Sequence, residues 1–563
     1  MYGHTTFLLW LLCLCSLFSQ KQEKDWAEIA FTAYEAGEYI EAAAAAEQFF
    51  YTEPRSNMLT RLAIRAYAQA GDTVKAIMHL QRYMYIQRSF GFEDFADDLL
   101  KDSALVCLHE HEYFTEIIDE VRGWEASFRT ERIRKRTSLD SLQKAIENGY
   151  DALTHLRDKS FATSEEFHSA LADVRYKTLP LKDGKRYKFF LPYKDTLQVP
   201  CLVVLPESYE ASQSYPVVIG MHGGIWRIED YPSEAANDGS NYGLSMAFPT
   251  LAEERGLVRI FISGTKYHNW IYPADGFDLV PKVLAYVKRF VNIDDDRVSL
   301  IGHSNGAAGA FNYMVRYPSP FAGFFGFNTR PYNYTGGTFL QNAAHQTFLN
   351  VSSDQDYYFP GSAAKTIDSL ASSLGAKWTD LVHNGTPHWW IYSQEAAPTM
   401  ASLLDEVLKV KRQSFPNNII WLADTLSEGN YNWLTIKAFD FSSPIKPWAD
   451  TINFTTKDWV SVEDPTIKRD LVRPAFKFPR LWGGVKASYD DNVFKVETSR
   501  VQSFRLSLSP TMVDFSHPVE VYVNGKLVVK HQPIYDPDYV ARQIKTSSDR
   551  KTIWEDFIDV KVK

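Results

Sequence analysis

The chain is 563 residues long, more than a single hydrophobic core holds, and its length predicts roughly three or four folded units. A net charge of −9, with no basic patch standing out, excludes a nucleic-acid partner, because phosphate binding draws on clustered Lys and Arg. Aromatic residues make up 14% of the chain, with 14 Trp and 31 Tyr, enough for sheet cores and for platforms that stack on sugars or aryl groups.

Residues 1–19 contain Phe7-Leu8-Leu9-Trp10-Leu11-Leu12-Cys13-Leu14-Cys15, an apolar run too short to span a bilayer, followed by small and polar residues around Ser19-Gln20. The run reads as a cleaved secretory signal, although its front end offers only His4 and the amino terminus where Lys or Arg is expected. The expectation is a secreted or periplasmic protein with no integral membrane span after cleavage. Leucine precedes both Cys13 and Cys15, which argues against a lipoprotein anchor. Cys107 and Cys201 remain, in different predicted domains, and indicate neither a disulfide framework nor a cysteine metal site.

Over residues 25–125, Ala33-Tyr34-Glu35-Ala36-Gly37-Glu38-Tyr39-Ile40-Glu41-Ala42 is matched by Tyr67-Ala68-Gln69-Ala70-Gly71-Asp72-Thr73-Val74-Lys75-Ala76. Gly37 and Gly71, like Ala42 and Ala76, lie 34 residues apart, Pro54 closes the first copy, and His111-Glu112-Tyr113-Phe114 looks like a third, irregular one. The segment resembles the tetratricopeptide repeat; a helical-hairpin domain that merely happens to repeat is the plainer alternative. Either way, paired helices with small residues at their crossings predict a surface for a protein partner or self-association, not catalysis. Residues 126–184, strongly charged and with helical spacing at Leu139, Leu142, Ala145, Ile146, Ala152, Leu153 and Leu156, predict a helical connector.

Over residues 185–412 strands alternate with helices. Tyr187 to Pro192, Cys201 to Pro206, Tyr215 to Gly224, Val258 to Ser263, Arg297 to Ile301, Thr347 to Ser352 and Trp378 to Val382 read as strands, and Asp278 to Phe290 as a helix. The alternation predicts a doubly wound, mostly parallel sheet with catalytic groups at the carboxyl ends of its strands. Residues 413–563 alternate apolar and polar at period two, with Asn524-Gly525 as a hairpin turn, and predict a small antiparallel β-domain. The expected architecture is multidomain: an α-helical repeat domain, a doubly wound α/β sheet and a β-domain.

The chemistry rests on Gly302-His303-Ser304-Asn305-Gly306. An apolar strand leads into it, and Ala307-Ala308-Gly309-Ala310-Phe311 leads out as a helix, the arrangement of a nucleophile elbow with Ser304 at its tip. A serine hydroxyl needs a base to take its proton and an acid to fix the base's tautomer, and in this fold both follow the serine in chain order. Ser353-Asp354-Gln355-Asp356-Tyr357-Tyr358-Phe359-Pro360 and Gly385-Thr386-Pro387-His388-Trp389 fall at the required places. His388 is the expected base, with His383 and His345 as competitors.

These residues resemble the α/β-hydrolase superfamily over about Tyr187 to Lys411, closest to polyhydroxyalkanoate-depolymerase and feruloyl-esterase types and to prolyl-oligopeptidase-like hydrolases. The resemblance implies that Asp356, in Asp356-Tyr357-Tyr358-Phe359-Pro360, is the triad acid; Ser353 stands where the family has glycine, which leaves Asp354 as an alternative. His222-Gly223-Gly224 resembles the family's oxyanion loop, and implies that the backbone N–H groups of Asn305 and Gly224 receive the oxyanion. His222, Gly223, Trp226, Trp270 and Trp389, with Tyr272, Tyr332, Tyr334 and Trp390, crowd the same loops as a wall for substrate or as loop packing. No metal or other cofactor is called for. The expected activity is cleavage of a small-molecule or polysaccharide-linked carboxylic ester by an exported serine hydrolase. The alternatives are a serine oligopeptidase and an idle binding protein.

Overall fold

A computed structural model describes residues 26–49, 57–87, 95–179, 186–193, 197–223, 244, 247–263, 270, 277–329, 331, 336–356, 361–458 and 471–562. The leader over residues 1–19 lies outside them. Among the described residues no helix is long and apolar enough to cross a membrane. The chain divides into two compact units, with the division between Arg136 and Thr137.

In the first unit the helices Trp26–Glu35, Tyr39–Phe49, Asn57–Gln69 and Thr73–Gln87 pack on a core rich in alanine. Ala30, Ala42, Ala46, Ala63, Ala66 and Ala76 are fully buried, and their small side chains let neighbouring helices approach closely. Gly37 and Gly71 take φ of 78° and 80°, the left-handed C-terminal cap that glycine adopts without a Cβ penalty. The two turns close alike: Glu38 N–H donates to Ala33 O, and Asp72 N–H to Tyr67 O. A long helix, Glu112–Tyr150, runs without a break through residues 125–126, where the sequence predicts a connector to begin; it contains no proline to stop it. At its far end Ile146 packs into the core of the second unit.

The second unit is built on eight strands: β1 (Arg186–Tyr193), β2 (Leu197–Val204), β3 (Tyr215–Met221), β4 (Val258–Ile262), β5 (Ile293–His303), β6 (Gly323–Phe327), β7 (Thr347–Ser353) and β8 (Lys377–His383). Their order is β1-β2-β4-β3-β5-β6-β7-β8, so the sheet is mixed. Strands β3 to β8 pair in parallel, whereas β2 runs antiparallel to both β1 and β4. Near-continuous apolar runs suit strands covered on both faces. Val217, Ile219, Met221, Val298 and Leu300 pack with Leu279, Val283 and Phe311 in one layer. Val218, Ile301 and Phe325 face the other way, towards Phe248, Leu403 and Val407.

Beyond the sheet, the strands Asn418–Ala423, Gly483–Asp490, Val493–Ser499, Val519–Val523 and Lys526–His531 form a five-stranded sheet. Asn430–Tyr431, Leu434–Phe439, Val501–Leu508 and Asp556–Lys561 form a four-stranded one. The two share a core that includes Trp421, Trp433, Phe494, Phe504 and Val521, the packing of a sandwich. Asn524 and Gly525 both take positive φ, 50° and 82°, as a two-residue hairpin turn demands. One expectation is corrected: Val493–Ser499 and Val519–Val523 are parallel neighbours, so the region is not purely antiparallel. Between them the chain crosses to the four-stranded sheet as Val501–Leu508, and it returns in its original direction.

Candidate active site

Strand β5 ends at His303, the helix Asn305–Arg316 begins two residues later, and Ser304 between them has φ 55° and ψ −121°. For a residue with a Cβ this conformation is strained, and it persists because the surroundings enforce it. Ser304 N–H donates to Phe327 O at 3.0 Å, and Ser304 O accepts Ala308 N–H at 2.9 Å. Both glycines are obligatory. A Cβ on Gly302 would overlap the backbone of Gly306, and one on Gly306 would overlap the carbonyl of Met221 at the end of β3. Behind them, a Cβ on Gly309 would lie 2.6 Å from the Cβ of Trp270, so the helix sits as close as small residues permit.

Loops after β7 and β8 bring the other groups in. Asp356 follows β7 by three residues and is held by its N–H on Ser353 O at 3.2 Å. Its Oδ2 lies 2.6 Å from Nδ1 of His388, and both side chains are almost fully buried, at 0% and 2% exposure. A carboxylate so placed accepts the Nδ1 proton and leaves Nε2 free of it, the tautomer a general base needs. Asp354 points elsewhere: its Oδ1 accepts the N–H groups of Gly385 and Thr386, at 2.7 and 3.3 Å, and caps the loop that carries His388. His383 bonds Thr399 and packs on Trp390, and His345 lies exposed in a turn with φ 67°.

His388 is brought to the elbow through His303, the residue before Ser304. The two imidazoles lie 4.6 Å apart, and His303 Nε2 is 3.0 Å from the main-chain oxygen of His388. A carbonyl only accepts, so His303 carries its proton on Nε2, and Tyr392 O–H donates to Nδ1 at 3.1 Å. Burial, with His388 adding to it, pulls His303 down to about 3, so the ring is neutral. Asn328 Nδ2 donates to the same His388 oxygen at 2.9 Å. The sequence does not single out His303, Asn328 or Tyr392. The one signal was a histidine inside the elbow motif, and its partners come from strands and loops far apart in the chain.

The turn after β3 runs beside Ser304, for a Cβ on Gly223 would lie 3.7 Å from the Cβ of Ser304. His222 Nδ1 donates to Gly223 O at 2.9 Å, and Trp270 Nε1 donates to His222 O at 3.0 Å. Trp270 is only 1% exposed and bonded to this turn, so it braces the loop. Trp389 is the reverse, 52% exposed with its ring edge-on to His388 at 4.8 Å. Asn305 opens its helix, where N–H groups have no carbonyl one turn earlier and the helix dipole favours negative charge. Gly224, Trp226, Tyr272, Tyr332 and Tyr334 lie outside the described residues. Among the described residues no group of three or more His, Cys, Asp and Glu side chains could hold a metal ion.

At its other end the helix Asn305–Arg316 is anchored by Arg316, whose buried guanidinium bonds Glu428 and the carbonyl of Gly337, with Asp424 at 3.6 Å. Burial lowers Arg316 to about 10.

No family model matches this chain, and no curated protein does. Among solved structures, part of the chain is similar to a thermostable esterase at 16% identity and a TM-score of 0.33, covering 40% of this chain and 64% of that one. It is similar to a putative dipeptidyl aminopeptidase IV from Bacteroides ovatus at 13% identity and a TM-score of 0.33, covering 40% of this chain and 36% of that one. It is also similar to Est1E from Butyrivibrio proteoclasticus at 12% identity and a TM-score of 0.30, covering 39% of this chain and 99% of that one. The chain thus spans less than two thirds of the first two of these proteins.

Proposed function

We propose that the protein is an exported serine hydrolase that cleaves carboxylic esters through an acyl-enzyme on Ser304. The observation that carries this reading is a buried His388–Asp356 pair at 2.6 Å, in ring contact with the residue preceding a serine held at φ 55°. In the reaction Ser304 Oγ attacks the ester carbonyl and His388 takes its proton. Asp356 stabilises the imidazolium and keeps its orientation. His388 then gives the proton to the leaving alcohol, and water, activated by the same base, releases the acid. The oxyanion is received by the N–H of Asn305 and by one from the glycine turn, assigned to Gly224.

Trp389 offers an exposed aromatic surface beside His388, which favours an aryl or saccharide-bearing ester. Residues 1–19 supply the export signal, and the helical repeats dock a protein partner or a second copy.

The test is labelling with a fluorophosphonate probe followed by peptide mapping. Stoichiometric modification of Ser304 with parallel loss of turnover is expected; active, unlabelled enzyme would overturn the reading. A panel of short acyl p-nitrophenyl esters, feruloyl and acetyl sugars, and proline-containing peptides then separates an esterase from an oligopeptidase.

A further inference from the structure

The base of a triad must be fixed at its ring and also at its main chain, because a loop that drifts carries the imidazole with it. We propose that His303 and Asn328 are positioning residues that lock the His388 peptide and so hold the base against Ser304, with Tyr392 keeping the His303 ring in register. This inference rests on the serine-hydrolase reading of the site and concerns how that site is kept assembled.

Two donors converge on one acceptor. The main-chain oxygen of His388 accepts His303 Nε2–H at 3.0 Å and Asn328 Nδ2–H at 2.9 Å, while the ring of the same residue is tied to Asp356 at 2.6 Å. A carbonyl with both lone pairs engaged has a fixed peptide plane, and with Nδ1 held as well the side chain has little freedom about its χ angles. Asn328 also ties the two loops to each other. Its Oδ1 accepts the N–H of Ser353, three residues before Asp356, at 2.7 Å, and its own N–H donates to Val351 O at 2.8 Å. A single amide thus spans the ends of the loops that bear the acid and the base. It does so from φ 54°, a left-handed conformation that asparagine tolerates better than other residues with a Cβ. His303 in turn is placed by the elbow itself, one residue before the nucleophile, so whatever positions Ser304 also positions the donor that holds its base.

The neutrality of His303 belongs to the same device. An imidazolium forms on His388 during turnover, and a second charge on a ring 4.6 Å away would oppose it. Tyr392 O–H on Nδ1 keeps the proton of His303 on Nε2, where the His388 oxygen needs it.

The test compares His303→Phe, His303→Gln, Asn328→Gly and Tyr392→Phe in the full-length protein, with active sites counted by fluorophosphonate titration. Phenylalanine keeps the ring and loses the donor; glutamine retains an amide donor near the Nε2 position; glycine removes the Asn328 amide without straining φ. A misplaced base typically slows the chemical step on the order of tenfold to a hundredfold, so His303→Phe and Asn328→Gly should lose about that much kcat per titrated site with KM within about twofold. His303→Gln should recover most of it, and Tyr392→Phe, which keeps the fold by removing only a hydroxyl, should fall between. The low-field NMR signal of the Asp356–His388 proton should broaden in the same rank order. Folded variants that keep the parent's kcat per site, or that lose titratable sites with kcat unchanged, would overturn the proposal. A parent enzyme that never labels at Ser304 would sink the serine-hydrolase reading instead, a different result.

Discussion

Among the described residues, two buried histidines are paired with a carboxylate, one in each unit. In the helical unit His79 Nε2 meets Glu47 at 3.0 Å, with the histidine side chain 4% exposed and the glutamate 35%. In the sheet unit His388 Nδ1 meets Asp356 at 2.6 Å, with both buried. Three further pairs, His168–Glu555, His517–Asp514 and His531–Asp556, lie at 2.7 Å with more exposed histidines. A histidine on a carboxylate is therefore an ordinary contact in this chain. What distinguishes His388 is what surrounds it: a serine in a strained turn nearby, loops tied by Asn328, and an open aromatic edge at Trp389. His79 instead stacks on Tyr67 at 5.5 Å within a helical core.

The largest expected contrast follows from that difference. Ser304→Ala and His388→Ala should each lower ester turnover by on the order of 10⁴ or more, since triad members act as a unit. His79→Ala should leave turnover within about twofold, a barrier change of about 0.4 kcal/mol. Steady-state assays of the three purified variants decide it, and an inactive, folded His79→Ala would dissolve the distinction between the pairs.

Glycine separates the two units in a second way. Gly306→Ala drives a Cβ into the Met221 carbonyl at the elbow, so it should destabilise by about 3 kcal/mol or more, at or above the upper end of usual overpacking costs, and abolish activity. Gly123, inside the helix Glu112–Tyr150, has open space where a Cβ would go, and Gly123→Ala should stabilise by up to about 1 kcal/mol through helix propensity. Urea melts of both variants give the signs.

The histidines also differ in what acid does to them. Burial lowers His303 from 6.5 to about 3, so below pH 6.5 the unfolded chain takes up a proton that the folded one refuses until near pH 3. The contribution of a neutral His303 is whole above pH 6.5 and is lost as pH falls through that window, with a slope approaching 1.4 kcal/mol per pH unit, about one proton. His79 is lowered less, again by burial, and so should contribute a shallower slope. Unfolding midpoints from pH 7 to 4 should flatten more for His303→Gln than for His79→Gln; equal flattening would contradict it.

How much of this was legible in the sequence follows from the range of each cause. The elbow is local: Gly302, Ser304 and Gly306 meet within one turn, and their spacing alone announces it. So are the equivalent turns at Gly37 and Gly71 and the hairpin at Asn524-Gly525. The loops after β7 and β8 were readable in order, and the family resemblance pointed to Asp356, but two aspartates two residues apart left Asp354 as an alternative until their partners were seen, His388 for one and Gly385 with Thr386 for the other. His303 and Asn328 were not legible because their work is done on His388, 85 and 60 residues away along the chain, and Tyr392 because its work is done on His303, 89 residues away. Trp270 stayed open between a substrate wall and loop packing because composition shows an aromatic near the site, not which way its indole N–H points. The parallel pair in the C-terminal sandwich escaped because alternation at period two reports a half-buried strand and is silent about its direction.

The smallest expected effect bears on the two units directly. Every residue named in the site lies beyond Thr137, and Ile146, in the second half of the long helix, belongs to the core of the sheet unit. A truncation that begins at Thr137, where the second unit begins, keeps the stretch that carries Ile146. Such a protein should turn over a small soluble ester within about tenfold of the full chain, a barrier change of about 1.4 kcal/mol at most. Self-association, or action on a bulky substrate, is where loss of the helical unit should show. The discriminating measurement is kcat/KM on p-nitrophenyl acetate beside the fluorophosphonate labelling rate and a sizing profile. If the folded truncation labels poorly and has lost small-ester turnover, the helical unit contributes to the chemistry. The contrast between a unit that packs and a unit that reacts would then fail at its base.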